Sequence, residues 1–109
     1  AAAFVKFRQN PSKEELVQAL LEYKGVPQEL GLPSAPKQFI QYMTEDDRPQ
    51  VKLDVNFEKG MGVSIGRLRK DKVYDWKFIG LSHNTARGAA GGAIECAELL
   101  KAQGYITKK

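Results

Sequence analysis

Apolar residues recur at helical spacing in two stretches of this chain and alternate in several others. Over residues 12–24, Leu16, Ala19, Leu20 and Tyr23 form one stripe, the spacing of an amphipathic helix. Ser12 and Glu15 stand as a capping box ahead of it, and Gly25 is the expected C′ residue. Residues 1–8 alternate, with Ala3, Val5 and Phe7 opposite Phe4, Lys6 and Arg8, until Asn10-Pro11 breaks the strand. Residues 38–44 alternate with apolar side chains on both sides, Phe39 and Met43 against Ile40 and Tyr42, which implies two covered faces. Residues 61–69 and 73–82 predict a hairpin across Lys70-Asp71-Lys72. In its second strand Tyr74, Trp76 and Phe78 share one face, and Val73, Ile79 and Leu81 share the other.

Two segments lack a period. Residues 26–37 are expected to be a loop stiffened by Pro27, Pro33 and Pro36. Residues 45–60 are expected to be a long loop with a short extended piece around residues 51–55, and loops of this length serve a site or an interface, or are mobile. Glu45-Asp46-Asp47 reads as a solvated part of it.

The last element is the most informative. LSHNTARGAAGGAIECAELLKAQGY, residues 81–105, has helical spacing through Ala86, Ala89, Ala93, Ala97 and Leu100, with Gly104 as its C′ stop. Gly88, Gly91 and Gly92 should each cost about 1 kcal/mol relative to alanine inside a helix. The compensation expected is close approach by another backbone or by a flat ligand. Asn84 or Thr85 is placed to cap the first turn, whose free N–H groups favour an anion or a polar cofactor group.

Together these elements define an α+β fold, a four-stranded, mostly antiparallel sheet packed with two helices. A chain of 109 residues is expected to be a single domain, 1–109, with one core. The net charge of +4 comes from scattered Lys and Arg residues, whereas a nucleic-acid binder concentrates them on one face. A single cysteine excludes an internal disulfide and suits a reducing, cytoplasmic setting. There is no apolar run of membrane-spanning length and no metal-ligand spacing. His83 and Cys96 lie some 20 Å apart if the helix is regular, at about 1.5 Å per residue, too far for a catalytic dyad. His83 is expected at the surface or in the cap, and Cys96 as a small packing residue.

Residues 81–100, LSHNTARGAAGGAIECAELL, resemble the C-terminal helix of aspartate-semialdehyde dehydrogenases of the archaeal and fungal branch. GLPSAPKQFI at 31–40, DRPQVKLD at 47–54 and GMGVSIGRLR at 60–69 agree with the same family, in family order. Val51, Lys52 and Ala86 are small departures. The family's glycine-rich phosphate loop, its catalytic Cys, its substrate-holding Arg and Lys, and its Gly-His-Thr motif have no counterpart here. The resemblance therefore implies a truncated, C-terminal dimerisation and substrate domain lacking the nucleotide-binding half, consistent with a chain that opens AAAFVKF without an initiator Met.

The parent activity that the resemblance implies is NADP-dependent reduction of aspartyl phosphate to aspartate semialdehyde, in lysine, threonine and methionine biosynthesis. It implies Asn84 as the contact to the nicotinamide end of NADP, with Thr85 and Arg87 beside it. For the isolated piece it implies no catalytic residues, no activity and no bound cofactor, and pairing as a homodimer or larger through the sheet face. Two alternatives stand beside this reading. One is a stand-alone interaction module on the same scaffold; the other is a basic single-stranded nucleic-acid binder using the aromatic strand.

Overall fold

A computed structural model describes residues 1–108. It contains a four-stranded sheet in the order β1-β4-β3-β2. Strand β1 is Ala2–Val5, β2 is Ile40–Met43, β3 is Val63–Lys70 and β4 is Trp76–Ser82. The β3–β4 and β1–β4 pairs are antiparallel, and β2 joins β3 in parallel. The expected α+β class and mostly antiparallel sheet are both present.

Helix α1, Lys13–Glu22, starts where its cap predicts, with Ser12 Oγ accepting from the Glu15 N–H at 3.2 Å. Its end differs. Gly25 is in an extended conformation and opens a second helix, α2, Val26–Leu30. The Gln28 side chain caps it by accepting from the Gly25 N–H at 2.9 Å. The presumed proline loop is therefore partly helical, because Pro27 sits in a first turn that needs no N–H from it. Gly31 ends α2 in the left-handed conformation: the Leu32 N–H reaches Pro27 O and the Gly31 N–H reaches Gln28 O, both at 3.2 Å. Leu32 is buried as a result.

The expected extended piece near residues 51–55 is instead a short helix, α3, Val51–Asp54. Its cause is electrostatic. Asp54 is buried, and it accepts from Arg48 Nε at 2.8 Å, from Arg48 Nη2 and from the Gln50 N–H at 2.8 Å. The Arg48 hydrogen bond, helped by the Gln50 N–H, holds the Asp54 carboxyl below the usual carboxylate range against its burial. This clamp presses the Arg48-Pro49 backbone onto the sheet: a Cβ on Gly66 would lie 2.3 Å from Arg48 O. Only glycine fits beneath that crossing.

The other face of the sheet receives α1. Val5, Trp76, Phe78, Ile40 and Leu68 of the sheet face Leu16, Ala19, Leu20 and Tyr23 across an apolar cleft of about 380 Å³. Leu68 reaches this face through a bulge. Gly66 pairs with Ile79 but Arg69 pairs with Lys77, so one extra residue enters β3, with Arg67 at φ 57°. Simple alternation puts Leu68 on the opposite side; the bulge returns it to the core, where it is 3% exposed.

The aromatic face of β4 is not free for the expected pairing through the sheet: Trp76 is 4% exposed beneath α1 and belongs to this chain's own core. Tyr74 precedes β4 and is half-exposed, its ring 6.5 Å from that of Phe4. The hairpin link is longer than three residues, because Asp71 accepts from the N–H groups of Val73 and Tyr74 at 3.0 and 2.7 Å. Such an Asx turn displaces the start of β4.

The second long helix, α4, Gly91–Ala102, packs on α2 and on the turn that precedes it rather than lying across the sheet. Ser34 ties it to the proline segment, its N–H and Oγ bonding Glu98 at 2.9 and 2.8 Å. Gly104 ends it as expected, with Tyr105 N–H to Leu100 O at 2.9 Å and Gly104 N–H to Lys101 O at 3.1 Å. Cys96 is exposed on this helix, not packed. The molecule is a flat slab of 56 × 33 × 20 Å with a radius of gyration of 15.8 Å, above the ~13 Å of a compact chain of this size. Among the described residues the buried apolar side chains are Leu32, Met61, Ile65, Leu68 and Trp76, a thin core for so much sheet and helix.

Candidate functional site

The residues between β4 and α4 form a turn with its own geometry. The Gly88 N–H bonds His83 O at 3.1 Å and the Ala90 N–H bonds Thr85 O at 2.9 Å. Both span five residues, so Ala86–Ala90 is a turn of π-helix, and Gly91 N–H to Ala86 O continues it into α4. Such single turns recur at functional sites. They also crowd the helix interior. A Cβ on Gly92 would lie 2.4 Å from Arg87 O, and one on Gly91 would lie 2.7 Å from Ala86 O and 2.5 Å from Met61 Sδ. Close approach therefore explains two of the three glycines from inside this chain. Gly88 differs: a Cβ there would meet nothing nearer than His83 O at 3.7 Å and Asn84 Oδ1 at 3.8 Å.

Of the residues expected at the cap, neither Asn84 nor Thr85 caps the turn with its side chain; His83 does. Its Nδ1 accepts from the Thr85 N–H at 3.2 Å and from the Ala86 N–H at 3.0 Å, with Thr85 Oγ1 also at 3.2 Å. Asn84 is exposed, and among the described residues no hydrogen bond engages its amide. Asn84 and Thr85 thus stand at the open end of the turn, beside the bare Gly88.

Arg87 points the other way. Its Nη2 donates to Glu95 Oε1 at 2.6 Å and its Nη1 donates to Met61 O at 3.3 Å. Its guanidinium lies 5.3 Å from the centre of the Phe39 ring, which in turn meets Tyr23 at 5.8 Å. The Arg87 and Glu95 side chains are 18% and 10% exposed, and Glu95 Oε2 has no partner. Arg87 thus links the turn to α4, to the start of β3 and to the lead-in of β2. Of the three residues expected at one site, the structure sets Asn84 and Thr85 together on the surface and directs Arg87 inward. Sequence reasoning missed Glu95 and Met61 as its partners; the eight-residue interval from Arg87 to Glu95 is a helical repeat that carries that signal.

No described helix is long and apolar enough to cross a membrane. No group of three or more His, Cys, Asp or Glu among the described residues could hold a metal ion.

One face of the sheet carries α1, and the glycine-rich helix follows its β4 strand through the π turn. The family model described as semialdehyde dehydrogenase, dimerisation domain, matches residues 1–87, and the chain belongs to that family. Within it, the chain is 48% identical over 99 residues to the aspartate-semialdehyde dehydrogenase of Candida albicans, covering 91% of this chain and 27% of that protein. It is 41% identical over 109 residues to the malonyl CoA reductase (NADP) of Metallosphaera sedula, covering 98% of this chain and 30% of that protein. The crystal structure of the Candida albicans aspartate semialdehyde dehydrogenase with NADP superposes with a TM-score of 0.81 at 44% identity, over 93% of this chain and 29% of that one. The chain therefore spans less than a third of the length of these relatives.

Proposed function

We propose that this chain is the C-terminal, subunit-pairing part of an NADP-dependent aspartate-semialdehyde dehydrogenase. The observation that carries the reading is the fold itself, shared at 44% identity with an enzyme of that name crystallised with NADP. In the longer protein, NADPH supplies the hydride that reduces an acyl phosphate to an aldehyde as phosphate leaves. The residues of this chain contribute one wall of the cofactor site. Asn84 offers both a donor and an acceptor, which complements a carboxamide such as that of nicotinamide. The bare Gly88 leaves room for a flat ring beside it. Thr85 supports this contact, while Arg87 holds the turn from within. With so few contacts, the 109-residue chain alone is expected to bind NADP weakly and to be inactive, since association costs ~4 kcal/mol or more before any contact counts.

A second reading has support from the Metallosphaera relative, whose name specifies a coenzyme A ester. Both readings share NADP and an activated carboxyl group. Steady-state assays of the longer protein with aspartyl phosphate and with malonyl-CoA distinguish them, and the first substrate is expected to be turned over. In the same assay Asn84→Ala should raise KM for NADPH about tenfold, the loss of one or two hydrogen bonds. An unchanged KM would remove Asn84 from the cofactor site.

Pairing is proposed through the sheet face opposite α1, where Ile79 and Leu81 are half-exposed beside the exposed Phe4, with β1 and β4 in register. Exposed apolar surface of this kind marks an interface. Light scattering of the longer protein should report a dimer, and Leu81→Lys should shift it towards monomer. A dimer indifferent to that substitution would place the interface elsewhere.

A further inference from the structure

We propose that His83 is a positioning residue for the cofactor-facing turn, acting as its hydrogen-bond cap through a neutral imidazole with the proton on Nε2. The inference rests on the reading of Asn84 as a cofactor contact, and it adds what holds Asn84 in place. Two backbone N–H groups converge on His83 Nδ1 at 3.0 and 3.2 Å. An acceptor of two donors carries no proton, so the neutral ring keeps its proton on Nε2. Those two N–H groups belong to the residues immediately after Asn84, so the imidazole fixes the backbone that carries the Asn84 side chain.

The ring is itself held. Gly60 is buried and adopts φ 83°, and a Cβ there would lie 3.2 Å from His83 Cγ and Cδ2 and 3.0 Å from the Ala86 Cβ. The backbone before β3 therefore forms a floor against which the imidazole lies, and a side chain at position 60 would push it off the turn. A serine or aspartate cap would satisfy the same N–H groups without this lateral support.

Without an acceptor at Nδ1, the Thr85 and Ala86 N–H groups at the positive end of the helical dipole lose their partner. The turn then loses its cap, and Asn84 its fixed position. Removing the acceptor should therefore weaken NADPH binding, and another side-chain acceptor at position 83 should restore it.

The test uses the longer protein that carries this chain, with His83→Asn and His83→Ala variants. His83→Ala should raise KM for NADPH about fivefold, the fold-change of a cap worth ~1 kcal/mol. His83→Asn, which keeps a side-chain acceptor, should recover most of that loss. Nitrogen-15 spectra, with the His83 signal assigned by its loss in His83→Asn, should show the Nε2–H tautomer. A KM for His83→Ala that matches the parent, or an Nδ1–H tautomer, overturns the proposal. If the tautomer is as stated but Asn84→Ala leaves KM unchanged, the cofactor reading has failed and the cap stands as structural only, which also overturns a positioning role.

Discussion

Gly92→Ala in the longer protein is expected to lower stability by about 2–3 kcal/mol, the range of an overpacked site. The sign is the informative part. Inside an ordinary helix this exchange stabilises by about 1 kcal/mol, because alanine loses less backbone freedom on folding. Here the added Cβ would lie 2.4 Å from Arg87 O, and that atom is backbone, so no rotamer change relieves the contact. Relief requires the π turn to contract to an α turn. Removing one residue from the turn rotates everything before it by about 100° relative to α4. Arg87 would then swing away from Glu95, and Asn84 would leave its place beside Gly88. Urea denaturation should show the loss of stability, and KM for NADPH should rise with it. Gly88→Ala is the matched control: the space around position 88 is open within this chain, so stability should be unchanged or higher. A Gly92→Ala protein as stable as its parent would mean that the turn does not depend on this glycine.

Arg87→Met should cost about 3 kcal/mol, at the low end for breaking a buried ion pair because neither side chain is fully buried. The loss comes mostly from Glu95, which would keep a charge in a largely buried position with both oxygens short of a partner; Oε2 already has none. Arg87→Met combined with Glu95→Met should recover most of the stability, since an apolar pair replaces a buried ionic one at little cost. Arg87→Lys should not substitute, because a guanidinium serves Glu95, the Met61 carbonyl and the Phe39 face together. Thermal denaturation of the single and double variants measures this. Should Arg87→Met keep full stability while KM for NADPH rises sharply, Arg87 would act on the cofactor directly and not through the turn.

Parts of the fold legible in the sequence are those whose cause is local. The Ser12–Glu15 signal places the start of α1, and Gly104 marks the end of α4, because caps are made within a few residues of themselves. The hairpin strands were legible from alternation. The short helix at Val51–Asp54 was not, because four residues carry no period and its cause is a carboxylate clamp from Arg48. The bulge at Arg67 was equally hidden, since it reverses the alternation from which faces are read.

The site divides in the same way. The close approach at Gly91 and Gly92 was legible from the penalty glycine carries inside a helix. The sequence leaves His83 between the surface and the cap, because what decides it is Gly60, over twenty residues away, lying under the ring. The sequence by itself determined the α+β class, the family, the start of α1 and the end of α4, all set by short-range preferences and a long ordered motif. Only the tertiary structure decided that Trp76 is core and not interface, that Arg87 faces inward to Glu95, and that a π turn separates β4 from α4. These depend on which distant groups share one buried space, and a side chain's burial is a property of its neighbours rather than of its own position in the chain.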